Sequence, residues 1–248
     1  MQTILLIISL LIFSSQSLAS DKYQRVVDSS SRPIPDKRAD KNRQPAKILR
    51  FFDIQPGQTV LDLFSGAGYY TELVSNLVGE TGQVDAHNNQ AYINFIGEQK
   101  LLKRYQDKRL KNVTQLHQEA NQLSLCQQCY DRILMVLTFH DLYYENLEQG
   151  WPKIAAPALM EKIRQSLKKD GLVGIVDHKA VNDSEISSAQ TLHRISAQTI
   201  KTLMHQWGFK LVAESDALTN PLDSLTTPMW DKSIKGKTDR AVMLFGLP

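Results

Sequence analysis

Short apolar runs alternate with longer amphipathic segments over most of the chain. Apolar positions in the runs are continuous or alternate, which is typical of strands, whereas in the longer segments they recur at helical spacing. The runs predict strands over residues 59–64, 82–88, 113–118, 130–137, 172–176, 209–213 and 240–245. The amphipathic segments predict helices over residues 45–52, 70–78, 91–105, 155–167 and 197–207. Alternating strands and helices indicate an α/β fold, a parallel sheet covered by helices.

Two of these elements carry the clearest signals. Residues 130–137, YDRILMVL, are almost continuously apolar, as expected of a strand that is covered on both faces. In the helix over 70–78, Leu73 and Leu77 lie on one apolar face, and Gly79 ends the helix. We find no internal repeat and no linker after residue 45. The sequence therefore predicts one domain over residues 45–248.

The first 44 residues differ in pattern from the rest. The apolar run over residues 4–13 is too short to span a bilayer, and Ser17-Leu18-Ala19 has the small-x-small form of a signal peptidase site. We therefore expect residues 1–19 to be a signal peptide of a periplasmic or secreted protein, with no membrane anchor after cleavage; an uncleaved anchor is the alternative. Residues 20–44 are polar and lack an apolar period, which predicts an extended N-terminal arm.

Composition narrows the range of partners. The 248 residues carry a formal net charge of only +3, and the lysines and arginines do not gather into a stripe. We therefore expect no nucleic-acid partner. The sequence does not determine the oligomeric state.

The segment TVLDLFSGAGYYT, residues 59–71, predicts a ligand site. A buried strand ends near Asp62, and Gly66 and Gly68 let the backbone approach a ligand before the next helix begins. A dinucleotide site would need a third glycine, where Thr71 stands, and an acidic residue ending the second strand, where Asn88 stands. This pattern argues against NAD. A tight turn that binds nothing is the alternative.

The longer segment VLDLFSGAGYYTELVSNLVGETGQVDA resembles the first two motifs of the class I S-adenosylmethionine-dependent methyltransferases. More narrowly, the chain resembles a group of exported bacterial methyltransferases from residue 32 onward, through FSGAGYYTE, FHDLYY, VDHKA, HRI and GKTDRAVMLF. The resemblance implies a Rossmann-like sheet of seven strands, the last one antiparallel, with helices on both faces. It also implies S-adenosylmethionine as the cofactor, bound beyond the carboxyl ends of the strands.

The resemblance assigns cofactor-binding residues along that edge of the sheet. Asp62 would hold the methionine end together with the backbone of Ser65, Gly66, Ala67 and Gly68. Asn88 would stand where an acid usually holds the ribose hydroxyls, and an amide there would weaken binding by about 1 kcal/mol. Glu119 and Ala120 would lie beside the adenine, with Glu119 accepting a hydrogen bond from its amino group.

The candidate catalytic residues are two histidines on the same edge. His140 follows the fourth strand and His178 ends the fifth, so either could serve as a base or contact the substrate, with Tyr69 and Tyr70 as walls. A purely structural role for each histidine is the alternative. Arg194 could pair with a carboxylate of a lid or a substrate, or form a salt bridge at a helix start.

Two longer segments are candidate covers for this edge. The arm over residues 32–43 could fold over the cofactor as a lid or remain a solvated tether, and residues 218–238 are a plausible cover on the acceptor side.

Cys126 and Cys129 are the only cysteines. They predict a small local disulfide or two free thiols. A thioredoxin-like function would need them at a helix N-terminus after a strand, and two thiols are too few for structural zinc.

The sequence thus predicts an S-adenosylmethionine-dependent methyltransferase that acts on a small molecule. Export would separate it from a cofactor made in the cytoplasm, so the alternative is an exported binding protein that keeps the fold without catalysis. The sequence does not identify the methyl acceptor.

Overall fold

A seven-stranded sheet forms the centre of the protein, in the order β3-β2-β1-β4-β5-β7-β6. The computed structural model describes residues 21–182 and 184–248, so the predicted signal peptide lies outside it. Strands β1 to β5 run parallel, and β7 is antiparallel to both of its neighbours. The strands are β1 (Thr59–Asp62), β2 (Gln83–Asn88), β3 (Val113–His117), β4 (Tyr130–Val136), β5 (Leu167–His178), β6 (Lys210–Glu214) and β7 (Arg240–Gly246). This confirms the predicted Rossmann-like class I methyltransferase fold.

Helices lie on both faces of the sheet because the central strands are apolar on both sides. On β4, Ile133 and Met135 belong to one hydrophobic core and Leu134 to the other, and all three are fully buried. The helices are α1 (Lys22–Asp28), α2 (Ile34–Arg43), α3 (Pro45–Phe51), α4 (Tyr69–Val78), α5 (Gln90–Ile96), α6 (Glu98–Tyr105), α7 (Ala156–Ser166), α8 (Ser187–Leu192) and α9 (Ala197–Gln206).

The arm over residues 20–44 is helical, and the prediction of an extended arm is wrong. Helix α1 buries Tyr23 and Val27 in a hydrophobic core, whereas α2 has no buried residue. Asp21 caps α1 by accepting a hydrogen bond from the Tyr23 amide, and a proline in the first turn of α2 suits a helix start. The charged residues of α2 pair with residues of the domain, which the chain pattern alone does not show.

Two element boundaries also differ from the prediction. The helix expected over residues 91–105 breaks at Gly97, whose φ of 88° interrupts the helix between α5 and α6. Strand β5 begins at Leu167, earlier than expected, and its pairing with β4 shifts register between Tyr130 and Arg132.

The carboxyl ends of β1 to β5 meet at one edge of the sheet, called here the C-terminal rim. The strand order reverses between β1 and β4, which is where ligands bind in open sheets of this kind. Asp62, Asn88 and His178 each end a strand at this rim. Within the described part of the chain, no helix is long and apolar enough to cross a membrane.

Candidate active site

The glycine loop after β1 has the backbone conformation that the sequence predicts. Gly66 and Gly68 have positive φ angles of 58° and 77°, a region that favours glycine, and Gly68 precedes the first residue of α4. The Gly66 amide donates to Asn88 Oδ1 at 3.0 Å. Asn88 Nδ2 in turn donates to the Gly66 carbonyl at 3.0 Å and to Ser65 Oγ at 3.1 Å. Asn88 therefore fixes the loop, and its contact with a ribose stays a prediction.

Asp62 places a buried carboxyl group beneath this loop. Its Oδ2 accepts a hydrogen bond from Thr71 Oγ1 at 2.6 Å. Burial raises the pKa of Asp62 to about 6, although the hydrogen bonds from Thr71 oppose the shift. No ion pair among the described residues includes Asp62. The ammonium group of a methionine moiety would form a direct ion pair with this carboxylate.

Glu119 offers a second acceptor at the rim. Its Oε1 accepts from the Gln90 amide at 3.1 Å, whereas Oε2 is buried and has no hydrogen-bond partner among the residues that the structure describes. The side chain borders a cavity of about 480 Å³, whose wall also includes Ile93 and His117, and Ala120 lines a smaller one beside it. A buried acceptor without a donor suits the amino group of an adenine. The residues at this position therefore fit S-adenosylmethionine.

Two side chains that the sequence analysis missed cover the glycine loop. Arg104 Nε donates to the Ala67 carbonyl at 2.9 Å, and a Cβ at Gly68 would lie 3.0 Å from the Tyr105 hydroxyl. Both residues are at the end of α6, and Arg104 stands 37 positions after Ala67. Only the packing of the helix onto the rim shows their role.

The arm packs over the same loop through charged side chains. Arg32 forms two hydrogen bonds to Asp40, at 2.7 and 2.8 Å, and the Tyr69 hydroxyl donates to Asp40 at 2.5 Å. Arg104 pairs with Asp36 at 2.7 Å. These contacts hold α2 against the first turn of α4, so the arm is not a solvated tether, and its role as a lid over the cofactor stays a prediction.

The two predicted catalytic histidines lie on the other half of the rim, with ring centres 5.8 Å apart. His140 Nδ1 is 2.7 Å from Asp177 Oδ1, and its backbone amide donates to Asp177 Oδ2 at 2.8 Å. Its Nε2 lies 3.3 Å from Asp141 Oδ1. His178 Nδ1 is 2.5 Å from Thr238 Oγ1. The structure thus brings together residues from β5, from the loop after β4 and from the segment before β7.

Neighbouring charges shift the pKa values of these two histidines in opposite directions. Burial alone would lower the pKa of His140, but the carboxylates of Asp141 and Asp177 outweigh it and raise that pKa to about 9. Burial lowers the pKa of His178 well below its usual value, and the nearby positive charges of His140 and Arg240 lower it further. His178 is therefore neutral near pH 7. The catalytic role of either histidine stays a prediction.

Arg194 anchors the segment over residues 218–238. Its guanidinium is fully buried and binds both oxygens of Asp223, at 2.9 and 3.0 Å, and the Thr227 carbonyl at 2.6 Å. Arg194 pairs with a carboxylate of residues 218–238 and does not form a salt bridge at a helix start. The role of these residues as a cover on the acceptor side stays a prediction.

The segment that carries Arg194 is held at the C-terminal rim by its backbone. The Ile195 amide donates to the His178 carbonyl at 2.9 Å and so joins this segment to the end of β5. Helix α9 begins at Ala197 just beyond it, and Ser196 caps the helix by accepting a hydrogen bond from the Thr199 amide at 3.0 Å. The bond to β5 and the helix start together fix where Arg194 stands.

Cys126 and Cys129 form a disulfide, one of the two predicted states, with their Cα atoms 5.9 Å apart. The bridge lies in the turn before β4 and is not at a helix N-terminus. This position does not match a thioredoxin-like redox site.

The solved structures that are similar to this chain include methyltransferases. An S-adenosylmethionine-dependent methyltransferase from Aquifex aeolicus matches with a TM-score of 0.56 and 22% identity, over 85% of this chain and 97% of that one. The Haloferax volcanii putative methyltransferase held in a complex with the activator Trm112 matches with a TM-score of 0.58 and 14% identity, over 92% and 98%. An O-methyltransferase from neocarzinostatin biosynthesis, bound to S-adenosyl-L-homocysteine, matches with a TM-score of 0.54 and 10% identity, over 86% and 56%.

The fold and the rim thus define a class I methyltransferase, for which S-adenosylmethionine is the cofactor. The family model for protein-L-isoaspartate(D-aspartate) O-methyltransferase matches residues 21–149, just over half of the chain. The chain belongs to that family. No curated protein sequence matches it.

Proposed function

We propose that this protein transfers the methyl group of S-adenosylmethionine to a small-molecule acceptor bound at the C-terminal rim. The observation that carries the proposal is the placement of two half-sites on one edge of the sheet. Asp62 and the glycine loop form one half, and His140 and His178 form the other. Arg43 interacts electrostatically with both Asp62 and His178 and so links the two halves.

The cofactor half-site offers complementary groups for both ends of S-adenosylmethionine. The buried carboxyl of Asp62 and the loop from Ser65 to Gly68 suit the methionine end, and Glu119 Oε2 suits the adenine. Bound there, the sulfonium supplies an activated methyl carbon. The protein then has to position the acceptor and exclude water. Helix α2, acting as a lid, would exclude water.

Positively charged side chains lie near the acceptor half-site. Arg240 is buried, and its guanidinium donates to the Asn42 and Gly236 carbonyls and to Thr238 Oγ1. Burial, together with the neighbouring charge of Arg43, lowers the pKa of Arg240 to about 10. The positive charges of Arg240 and Arg43 act on His178 and favour an acceptor that carries a negative charge.

This charge also favours a second candidate acceptor. The family name specifies an isoaspartyl residue of a protein, whose carboxylate would be attracted by the same positive charge. The small-molecule proposal draws support from the packing of α2 against α4 and from the anchoring of residues 218–238 by Arg194, since a cover made by these segments would admit a small molecule more easily than a peptide.

The test uses the purified protein and S-adenosylmethionine with a labelled methyl group. Small carboxylic acids, phenols and amines are offered as acceptors in one series, and an isoaspartyl peptide with its aspartyl counterpart in another. Transfer to a small molecule supports the proposal, whereas transfer to the isoaspartyl peptide alone replaces it with the second candidate. Cofactor binding without transfer to any acceptor would favour the non-catalytic binding protein.

We also propose that the protein works in the periplasm or outside the cell. The apolar run over residues 4–13 and the signal-peptidase pattern after it support this location, as does the disulfide between Cys126 and Cys129. Export of the chain and the mass of the mature protein test it. The mature protein is expected to have the mass of a chain that starts at residue 20. Retention of the intact chain in the cytoplasm would contradict the proposal.

A further inference from the structure

Three side chains, one of them His140 of the acceptor half-site, bring their ligand atoms close together. His140, Asp141 and His193 each offer one nitrogen or oxygen atom, and these atoms lie within 4.8 Å of one another. His140 Nε2 is 3.3 Å from Asp141 Oδ1, and His193 Nδ1 is 3.6 Å from the same oxygen. Ligands at about 2.1 Å from a tetrahedral zinc ion stand about 3.4 Å apart. The two separations are therefore those of neighbouring ligands on one ion.

We propose that His140, Asp141 and His193 bind a divalent first-row transition metal ion such as Zn²⁺. Two histidines and one carboxylate are a ligand set that catalytic metal sites use, with the remaining positions open to water or substrate.

The groups behind these ligands hold them in the required orientation. His140 Nδ1 is hydrogen-bonded to the fully buried Asp177, which leaves Nε2 free to face the other ligands. A metal-binding histidine usually has such a carboxylate on its second nitrogen. The Tyr92 hydroxyl donates to Asp141 Oδ2, which leaves Oδ1 directed at the two imidazoles. Each ligand atom of His140 and Asp141 is thus selected by a hydrogen bond to the other atom of the same group.

His193 has a left-handed backbone conformation that places its ring beside Asp141. Its φ of 47° lies in the left-handed region, which is uncommon for a residue other than glycine. The ring is packed between Tyr144 and Trp230, with centroid distances of 4.4 and 5.1 Å. This conformation ends α8 and directs Nδ1 at Asp141.

A cation also explains why these atoms lie close together. With Nδ1 of His140 donating to Asp177, a neutral imidazole turns a lone pair at Nε2 towards the lone pairs of Asp141 Oδ1. Either a metal ion, or a proton on Nε2 together with one on His193 Nδ1, would satisfy this oxygen, and the test below distinguishes the two.

The role of the ion in methyl transfer rests on the proposed function. An acceptor hydroxyl bound to the ion would lose its proton to water more readily. Its oxygen would then form a bond to the methyl carbon as the bond from that carbon to sulfur breaks, and the thioether would leave neutral.

Metal binding is tested without cofactor or acceptor, so its outcome is separate from that of the proposed function. The protein, purified without an affinity tag and freed of metal with a chelator, is titrated with Zn²⁺ by calorimetry. One equivalent is expected to bind, and the melting temperature is expected to rise. His193→Asn should remove both effects, because asparagine tolerates the left-handed backbone but provides a poor ligand.

Two further variants complete the test. Asp177→Asn should weaken Zn²⁺ binding by about tenfold or more, since it changes the carboxylate behind His140. His205→Asn is the matched control, because His205 is an exposed histidine of α9, and it should leave binding unchanged. Absence of binding to the unaltered protein would show a proton network and overturn the proposal. Equal binding by His193→Asn would overturn it as well.

Discussion

The Tyr69 hydroxyl donates a hydrogen bond to Asp40 Oδ1 at 2.5 Å and so joins the first turn of α4 to helix α2, the proposed lid. Asp40 also binds the buried guanidinium of Arg32. One carboxylate thus links the lid, the segment that leads into it and the helix that follows the glycine loop. The lid therefore depends on Asp40 more than on any apolar contact of α2, none of whose described residues is buried.

We expect Asp40→Ala to release the lid. The change leaves the Arg32 guanidinium buried without its partner, which should cost about 3 kcal/mol. Hydrogen exchange should become faster over residues 30–43 and stay slow in the sheet. Asp28→Ala is the control, because Asp28 is exposed and accepts a hydrogen bond from the exposed Gln24. Unchanged exchange over residues 30–43 would show that Asp40 does not hold the lid.

Gly68→Ala should weaken cofactor binding, and Gly150→Ala should not. Both glycines have nearly the same φ, 77° and 76°, so an alanine is strained by a similar amount, about 1 kcal/mol, at each. A Cβ at Gly68 meets Tyr105 and Arg104, whereas a Cβ at Gly150 meets nothing within 4 Å among the described residues. The difference between the variants in affinity for S-adenosylhomocysteine measures the role of the loop. Equal affinities would contradict the pocket assignment.

Glu119→Gln should reduce the affinity for S-adenosylhomocysteine by about tenfold, or about 1.4 kcal/mol. The amide replaces the free acceptor at Oε2 with a donor, which would oppose the amino group of the adenine. Calorimetry measures the change, with Glu148→Gln at an exposed position as the control. An affinity equal to that of the unaltered protein would place the adenine elsewhere.

The raised pKa of Asp62 predicts that the free energy of unfolding falls as the pH rises. Its pKa is about 6 in the folded protein and 3.8 in the reference state, so the folded protein holds the proton more tightly. The stabilisation is complete below pH 3.8 and disappears as the pH passes 6, a change of about 3 kcal/mol. Denaturant unfolding of the protein and of Asp62→Asn across this pH range isolates the contribution. Parallel pH profiles for the two proteins would contradict the shift.

The sequence predicted the fold well because the sheet is specified by local patterns. Apolar strands such as β4 alternate with amphipathic helices such as α4, and the family resemblance supplied the number of strands and the antiparallel direction of the last one. The lid helices were missed because α2 has no apolar face, and its stability comes from Asp36 and Asp40 pairing with distant partners.

The candidate site was only partly predictable for a similar reason. The glycine loop and the two histidines stand in recognisable local segments, so the sequence indicated their positions at strand ends. The contact between His140 and Asp177 spans 37 positions and depends on the pairing of β4 with β5. Likewise, nothing near Arg104 in the sequence indicates that its side chain reaches the Ala67 carbonyl.

The central claim is that the C-terminal rim binds S-adenosylmethionine. Calorimetric titration of the purified protein with S-adenosylmethionine and S-adenosylhomocysteine tests it most directly. We expect both to bind with one site per chain and Gly68→Arg to abolish binding while the protein stays folded. Absence of binding to the folded, unaltered protein would contradict the account, and so would undiminished binding by Gly68→Arg.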